Sequence, residues 1–136
     1  MAVIDASVYV ALIHAHEAAH DSTWAWFEAA SLSEEPIRAP VVLLAEVSAA
    51  LSRGAGNPAL AHQVIQQLLR TPTIELYPVT VELAERAAGI AADCGIRGCD
   101  SIYVALAEWT GDELLTLDRQ QLERGCALVA ARRPTD

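Results

Sequence analysis

Four carboxylates in this chain stand where an acidic side chain needs a reason. Asp5 closes the apolar run Ala2-Val3-Ile4, and Asp118 closes Leu114-Leu115-Thr116-Leu117. Short apolar runs of this kind suit strands buried on both faces, as in parallel sheets. Two strands that each finish in Asp point to a metal site. Asp100 follows Arg97-Gly98-Cys99 and opens the helical stretch Ser101-Ile102-Tyr103-Val104-Ala105-Leu106-Ala107-Glu108. Glu46 lies inside an apolar helix from Val41 to about Arg53, with Val42, Leu43, Ala49 and Ala50 at helical spacing around it. A carboxylate on such a face is costly unless something compensates it. Each acid also has a plain structural reading. Asp5 can start a helix, Asp100 can cap one, and Asp118 can end a strand in a turn. Glu46 can pair with an Arg or sit at the helix edge. Taken together, those readings leave four acids converging by accident.

The elements that must position these acids follow from local signals. Ser7 is expected to cap a helix running to about Ile13. His16 and His20 are four residues apart, which suits either metal ligation or a solvated helix connection. In the next helix, Trp24 and Phe27 share a face expected to join the core. Trp26 points to nearly the opposite side, where it can meet a partner chain. Pro36-Ile37-Arg38-Ala39-Pro40 reads as a second strand, with Pro40 near the first turn of the Glu46 helix. Asn57-Pro58 caps a helix to about Leu69, and Thr73 to Tyr77 alternates as a strand. Thr80 caps a helix with Leu83, Ala87, Ile90 and Ala91 on its core side. A loop over Asp93 to Gly98 leads into the Asp100 helix. A short helix around Gln120 to Leu122 and a last strand at Ala127-Leu128-Val129 complete the pattern, with a frayed tail from Arg132. Strands alternating with helices imply an α/β fold with a mostly parallel sheet. Ligands bind such sheets at the carboxyl ends of the strands. If the Asp5 and Asp118 strands are neighbours, about 4.8 Å apart, one cation can bridge them.

A chain of 136 residues with 53% hydrophobic residues is expected to form one domain, residues 1–136, with a substantial core. Its longest apolar stretch contains Glu46 and is too short to span a membrane. The start lacks the basic region of a signal peptide, so a cytoplasmic location is expected. Three cysteines, Cys94, Cys99 and Cys126, match no zinc spacing and are expected to be reduced and mostly buried. The net charge of −9 argues against nucleic acid as a partner, but bound divalent cations reverse the local sign. All nine basic residues are Arg. A small α/β phosphatase is disfavoured, because the first strand lacks an Asp-x-Asp pair and no Gly-rich phosphate loop is present.

In order, spacing and setting, the four acids resemble those of the PIN-domain ribonucleases. In size and layout the chain resembles the VapC-like toxins of toxin–antitoxin pairs. The resemblance rests on Val3-Ile4-Asp5-Ala6-Ser7, Ala45-Glu46-Val47, Asp100-Ser101-Ile102-Tyr103-Val104-Ala105-Leu106-Ala107 and Thr116-Leu117-Asp118, and it covers nearly the whole chain. It implies a PIN-like three-layer α/β/α fold around a mostly parallel five-stranded sheet of order 3-2-1-4-5. It also implies an acidic quartet of Asp5, Glu46, Asp100 and Asp118, with Thr116 as the accompanying hydroxyl. Oxygen ligands of this kind hold Mg²⁺ or Mn²⁺, which acidifies bound water for attack on a phosphodiester. Asp5 and Asp118 are expected as ligands, Asp100 as a ligand or to orient the attacking water, Glu46 as holder of a second ion or base, and Arg97 and Arg119 as phosphate grips. The family implies an endoribonuclease with an RNA substrate, a homodimer and a cognate VapB-like antitoxin. The alternative is a PIN-fold interaction module that no longer cleaves. Crowded like charges should raise the acids' pKa values without metal. On that ground Asp118→Asn is expected to abolish cleavage without destabilising the metal-free protein.

Overall fold

A computed structural model of the chain describes residues 1–125 and 128–135. Asp5 and Asp118 follow strands whose apolar side chains are almost wholly buried. Val3, Ile4, Ile37, Ala39, Leu114 and Leu115 are each at most 1% exposed, which is the burial a parallel sheet covered on both faces requires. Strand β1 (Ala2–Ile4) is central. It pairs in parallel with β2 (Ile37–Pro40) on one side and with β4 (Glu113–Leu115) on the other. Strand β3 (Ile74–Tyr77) extends the sheet beyond β2, and β5 (Ala131–Arg132) extends it beyond β4. The order is β3-β2-β1-β4-β5, with every pairing parallel. The expected α/β/α architecture and strand order are therefore observed.

The helices connecting these strands are α1 (Ala6–Ile13), α2 (His20–Leu32), α3 (Val42–Ala49), α4 (Pro58–Leu69), α5 (Val81–Cys94), α6 (Gly98–Thr110) and α7 (Arg119–Gly125). A π-helical turn over Ala50–Gly54 prolongs α3. Helix α6 is the most enclosed, with Ser101 and every residue from Tyr103 to Ala107 buried, and it packs on β1, β2 and β4. Its end is set by Gly111, whose φ of 72° supplies the left-handed cap that returns the chain into β4. The caps expected at Asn57 and Thr80 are present. Asn57 Oδ1 accepts the Leu60 N–H at 3.0 Å and Thr80 Oγ1 accepts that of Leu83 at 3.1 Å. Among the described residues, no helix is long and apolar enough to cross a membrane.

Several local expectations are corrected. Asp5, not Ser7, caps α1, with Oδ1 accepting the Val8 N–H at 3.1 Å. Pro40 closes β2 opposite Tyr77 immediately before the Val41 N-cap of α3, near that helix's first turn as expected. The core stripe of α2 runs through Thr23, Trp26, Phe27 and Ala30, so Trp26 packs on the core and Trp24 is 50% exposed. The two-residue β5 begins at Ala131. Register decides this: Leu114 pairs with Ala131 and donates its N–H to Ala130 at 2.8 Å. Leu128 and Val129 lie in a turn before it, and Cys126 and Ala127 fall outside the described residues. Arg132 is no frayed tail, since its guanidinium holds Glu113 through two hydrogen bonds of 2.8 and 2.9 Å. Cys99 is exposed and Cys94 half-buried, both as free thiols, so the two described cysteines do not lie in the core.

Candidate active site

Pairing of β1 with β4 in the register Ile4↔Leu115 places Asp5 beside Thr116, at the carboxyl ends of adjacent strands. Asp5 is 2% exposed. Its Oδ1 accepts from Ser7 Oγ at 2.5 Å and from the Val8 N–H. Its Oδ2 accepts from Thr116 Oγ1 and from Gln121 Nε2, the latter at 2.8 Å. An ionised carboxylate offers about four acceptor positions, and protein donors take all four. The donors are themselves anchored. Thr116 Oγ1 accepts the Asp118 N–H at 2.9 Å, and Ser7 Oγ accepts that of Leu117 at 3.0 Å. Burial pushes the Asp5 carboxyl up to about 6, against the pull of the Ser7, Thr116 and Val8 hydrogen bonds, with the Asp100 charge a minor addition.

The other three acids stand around the same strand ends. Asp100 is 6% exposed in the first turn of α6, where Arg97 Nε donates to its Oδ2 at 2.8 Å. The same guanidinium reaches Asp118 Oδ2 through Nη2 at 3.1 Å, while Asp118 Oδ1 caps α7 at the Gln121 N–H, also at 3.1 Å. The hydrogen bond to Asp100, followed by the charges of Asp100, Asp118 and Glu46, holds the Arg97 guanidinium above its ordinary range. Glu46 has a phenol for a partner instead of an Arg. Tyr103, 1% exposed, donates its hydroxyl to Glu46 Oε1 at 2.7 Å. Burial raises the Tyr103 phenol, with further upward pushes from Glu46, Asp5 and Asp100, so it remains a donor. Arg97 and Tyr103 between them feel all four acids.

Sequence reasoning placed the quartet, Thr116 and Arg97 here. Arg119 stands at the rim instead, 86% exposed and 3.5 Å from Glu123, lining a shallow depression with Arg97, Asp118 and Gln120. Gln121 and Tyr103 were missed. Gln121 carried no local signal, whereas Tyr103 stands three residues after Asp100 on an otherwise apolar helix. The crowding expectation changes too. The shift falls on Asp5, and its leading cause is burial. Of the histidines, His20 is structural, with Nδ1 2.8 Å from the Ala11 carbonyl oxygen.

The donor set is all oxygen, which suits a hard divalent cation. Among the described residues, however, no group of three or more His, Cys, Asp or Glu is spaced to hold a metal ion. Each acid is instead engaged by Arg97, Tyr103 or the partners of Asp5, so a cation would take the place of a protein donor.

The PIN domain family matches residues 2–126. This chain belongs to it. The PIN domain is 48% identical over 48 residues to ribonuclease VapC3 of Pyrobaculum aerophilum, a segment covering 35% of this chain and 37% of that relative. Solved structures match over almost the full length. Mycobacterium tuberculosis VapC20, described as a sarcin–ricin loop cleaving toxin, superposes with a TM-score of 0.77 at 19% identity, covering 98% of this chain and 100% of that one. VapBC2 from Rickettsia felis, bound to a DNA fragment from its promoter, gives 0.74 at 14% identity over 97% of each chain. FitAcB from Neisseria gonorrhoeae gives 0.71 at 20% identity over 98% of each. At these identities the structural matches establish the PIN fold alone.

Proposed function

We propose that the chain is a single PIN domain, residues 1–136, acting as a metal-dependent endoribonuclease and as the toxin of a toxin–antitoxin pair. The observation that carries this reading is the convergence of Asp5, Glu46, Asp100 and Asp118 on one end of the sheet, with a single guanidinium among them. Similarity to a VapC ribonuclease and to toxins from VapBC and FitAB pairs supports it.

Asp5, Asp100 and Asp118 would hold Mg²⁺ or Mn²⁺, with Glu46 at a second ion or as base. When bound, such a cation acidifies a water and offsets charge on the phosphoryl oxygens. The chain's own groups do the rest. Thr116 and Ser7 fix the orientation of Asp5, and Tyr103 fixes Glu46. Arg97, once released from Asp100 and Asp118, reaches the phosphate backbone of RNA, and Arg119 offers a second grip at the rim. The partner is a VapB-like antitoxin. A basic segment complements a chain of net charge −9. The working form is a cytoplasmic homodimer.

The test is incubation of purified protein with total RNA in Mg²⁺ or Mn²⁺, with and without EDTA, beside Asp100→Asn prepared identically. Discrete cleavage that disappears with EDTA and falls more than about a hundredfold in the variant is the expected result. Cleavage surviving both treatments identifies a contaminant. An absence of cleavage with every RNA class favours the interaction-module reading, in which Arg97 permanently closes the site.

A further inference from the structure

Gln121 is 1% exposed, and it touches two members of the quartet at once. Its Nε2 donates to Asp5 Oδ2 at 2.8 Å, and its backbone N–H donates to Asp118 Oδ1 at 3.1 Å. An ionised carboxylate only accepts, so the amide nitrogen is the atom that faces Asp5. The other end of the same amide, Oε1, is buried and has no hydrogen-bond partner among the described residues. A buried carbonyl oxygen without a donor is exceptional and calls for a missing water or ion.

The four partners of Asp5 also differ in how readily they leave. Val8 donates from helical backbone, while Ser7 and Thr116 are each tied to the backbone of the 117–118 segment as well. Gln121 is held to Asp5 by one side-chain bond, and a turn of its amide would release it. That turn presents Oε1, a neutral, hard oxygen of the type Mg²⁺ and Mn²⁺ accept. It adds a ligand without adding a negative charge to a crowded site.

We propose that Gln121 is a cation ligand. Its amide nitrogen occupies Asp5 in the metal-free protein, and its Oε1 joins the oxygen set when the divalent cation enters. The inference rests on the metal-dependent reading above and adds to it a residue outside the acidic quartet.

The experiment is Mn²⁺ titration of the EDTA-stripped full chain by calorimetry, with electron paramagnetic resonance counting free ion. Wild type, Gln121→Leu, Gln121→Glu and the control Gln66→Leu, an exposed residue of α4, are compared after their melting transitions have been recorded. Gln121→Leu is expected to weaken Mn²⁺ binding about tenfold or more. Gln121→Glu keeps the oxygen and is expected to bind at least as tightly as wild type, and Gln66→Leu is expected to match wild type. Mn²⁺ binding by Gln121→Leu as tight as wild type overturns the proposal, as does Gln121→Glu binding as weakly as a ligand-deletion variant. The second criterion stands even if the leucine variant fails to fold. Failure of wild type itself to bind Mn²⁺ would instead remove the metal-dependent reading, and the proposal with it.

Discussion

The two ends of the sheet treat carboxylates in opposite ways. At the amino end, acids are matched by guanidinium groups. Arg38 Nη1 holds Asp112 at 2.7 Å, and its Nε donates to the Tyr77 hydroxyl at 3.1 Å. Arg132 holds Glu113 through two bonds. At the carboxyl end, Arg97 pairs with Asp100 and Asp118, and its side chain is 71% exposed. Hydroxyls, a phenol and an amide do there what cations do at the other end. Hydrogen bonds from neutral groups satisfy lone pairs but leave net charge in place. The amino end is therefore built to hold the fold, and the carboxyl end retains an unneutralised negative charge that a cation can answer.

Breaking the amino end should have the largest effect on stability. The Asp112 side chain is 2% exposed, and its removal in Asp112→Ala leaves Arg38 without its closest acid. A loss of about 4 kcal/mol is expected, visible as a fall in melting temperature of roughly 10 °C or more. A fall of only a degree or two would show that the Arg38–Asp112 pair is dispensable and would dissolve the contrast.

Changing the carboxyl end should work in the other direction. The carboxyl of Asp5 rises from 3.8 to about 6 on folding, so between those values the folded state binds more protons than the unfolded one. Its contribution to stability is full below about pH 4 and is lost as pH rises through about 6, a change of about 3 kcal/mol. In EDTA, Asp5→Asn is expected to flatten that decline and to be at least as stable as wild type at pH 7. Urea titrations from pH 4 to 8 read this directly, and parallel pH profiles for the two proteins would sink it.

The smallest effect belongs to the exposed guanidinium. Arg97→Ala is expected to change stability by under about 1 kcal/mol, because exposed ion pairs contribute little. Metal binding should tighten in the same variant, since Asp100 and Asp118 lose a competitor. Weaker Mn²⁺ binding by Arg97→Ala would show that Arg97 organises the site and does not compete for it.

Much of this was legible in the sequence. Asp5 and Asp118 announced themselves by ending apolar runs, and Glu46 by its apolar helix. The caps at Asn57 and Thr80 followed from contacts three residues apart, which depend only on local geometry. The face of α2 was not legible. Trp24 and Trp26 fall on nearly opposite sides of one helix, and only its packing against the core selected Trp26 over Trp24. The last strand escaped for a related reason: its apolar prelude at Leu128 and Val129 turns, and the two residues that pair are chosen by register with β4.

What the sequence by itself determined is the set of elements, the acids at their ends and the apolar runs that bury the sheet. These depend on periodicity and on neighbours within a helical turn. The tertiary structure decided which groups answer those acids. Thr116 and Gln121 meet Asp5 across 111 and 116 residues of chain, and Tyr103 meets Glu46 across 57. Such pairs arise only when parallel pairing sets β4 beside β1 and α6 packs over both. The chemistry of each acid is therefore local in origin, and its protonation, partners and freedom to take a cation are consequences of the fold.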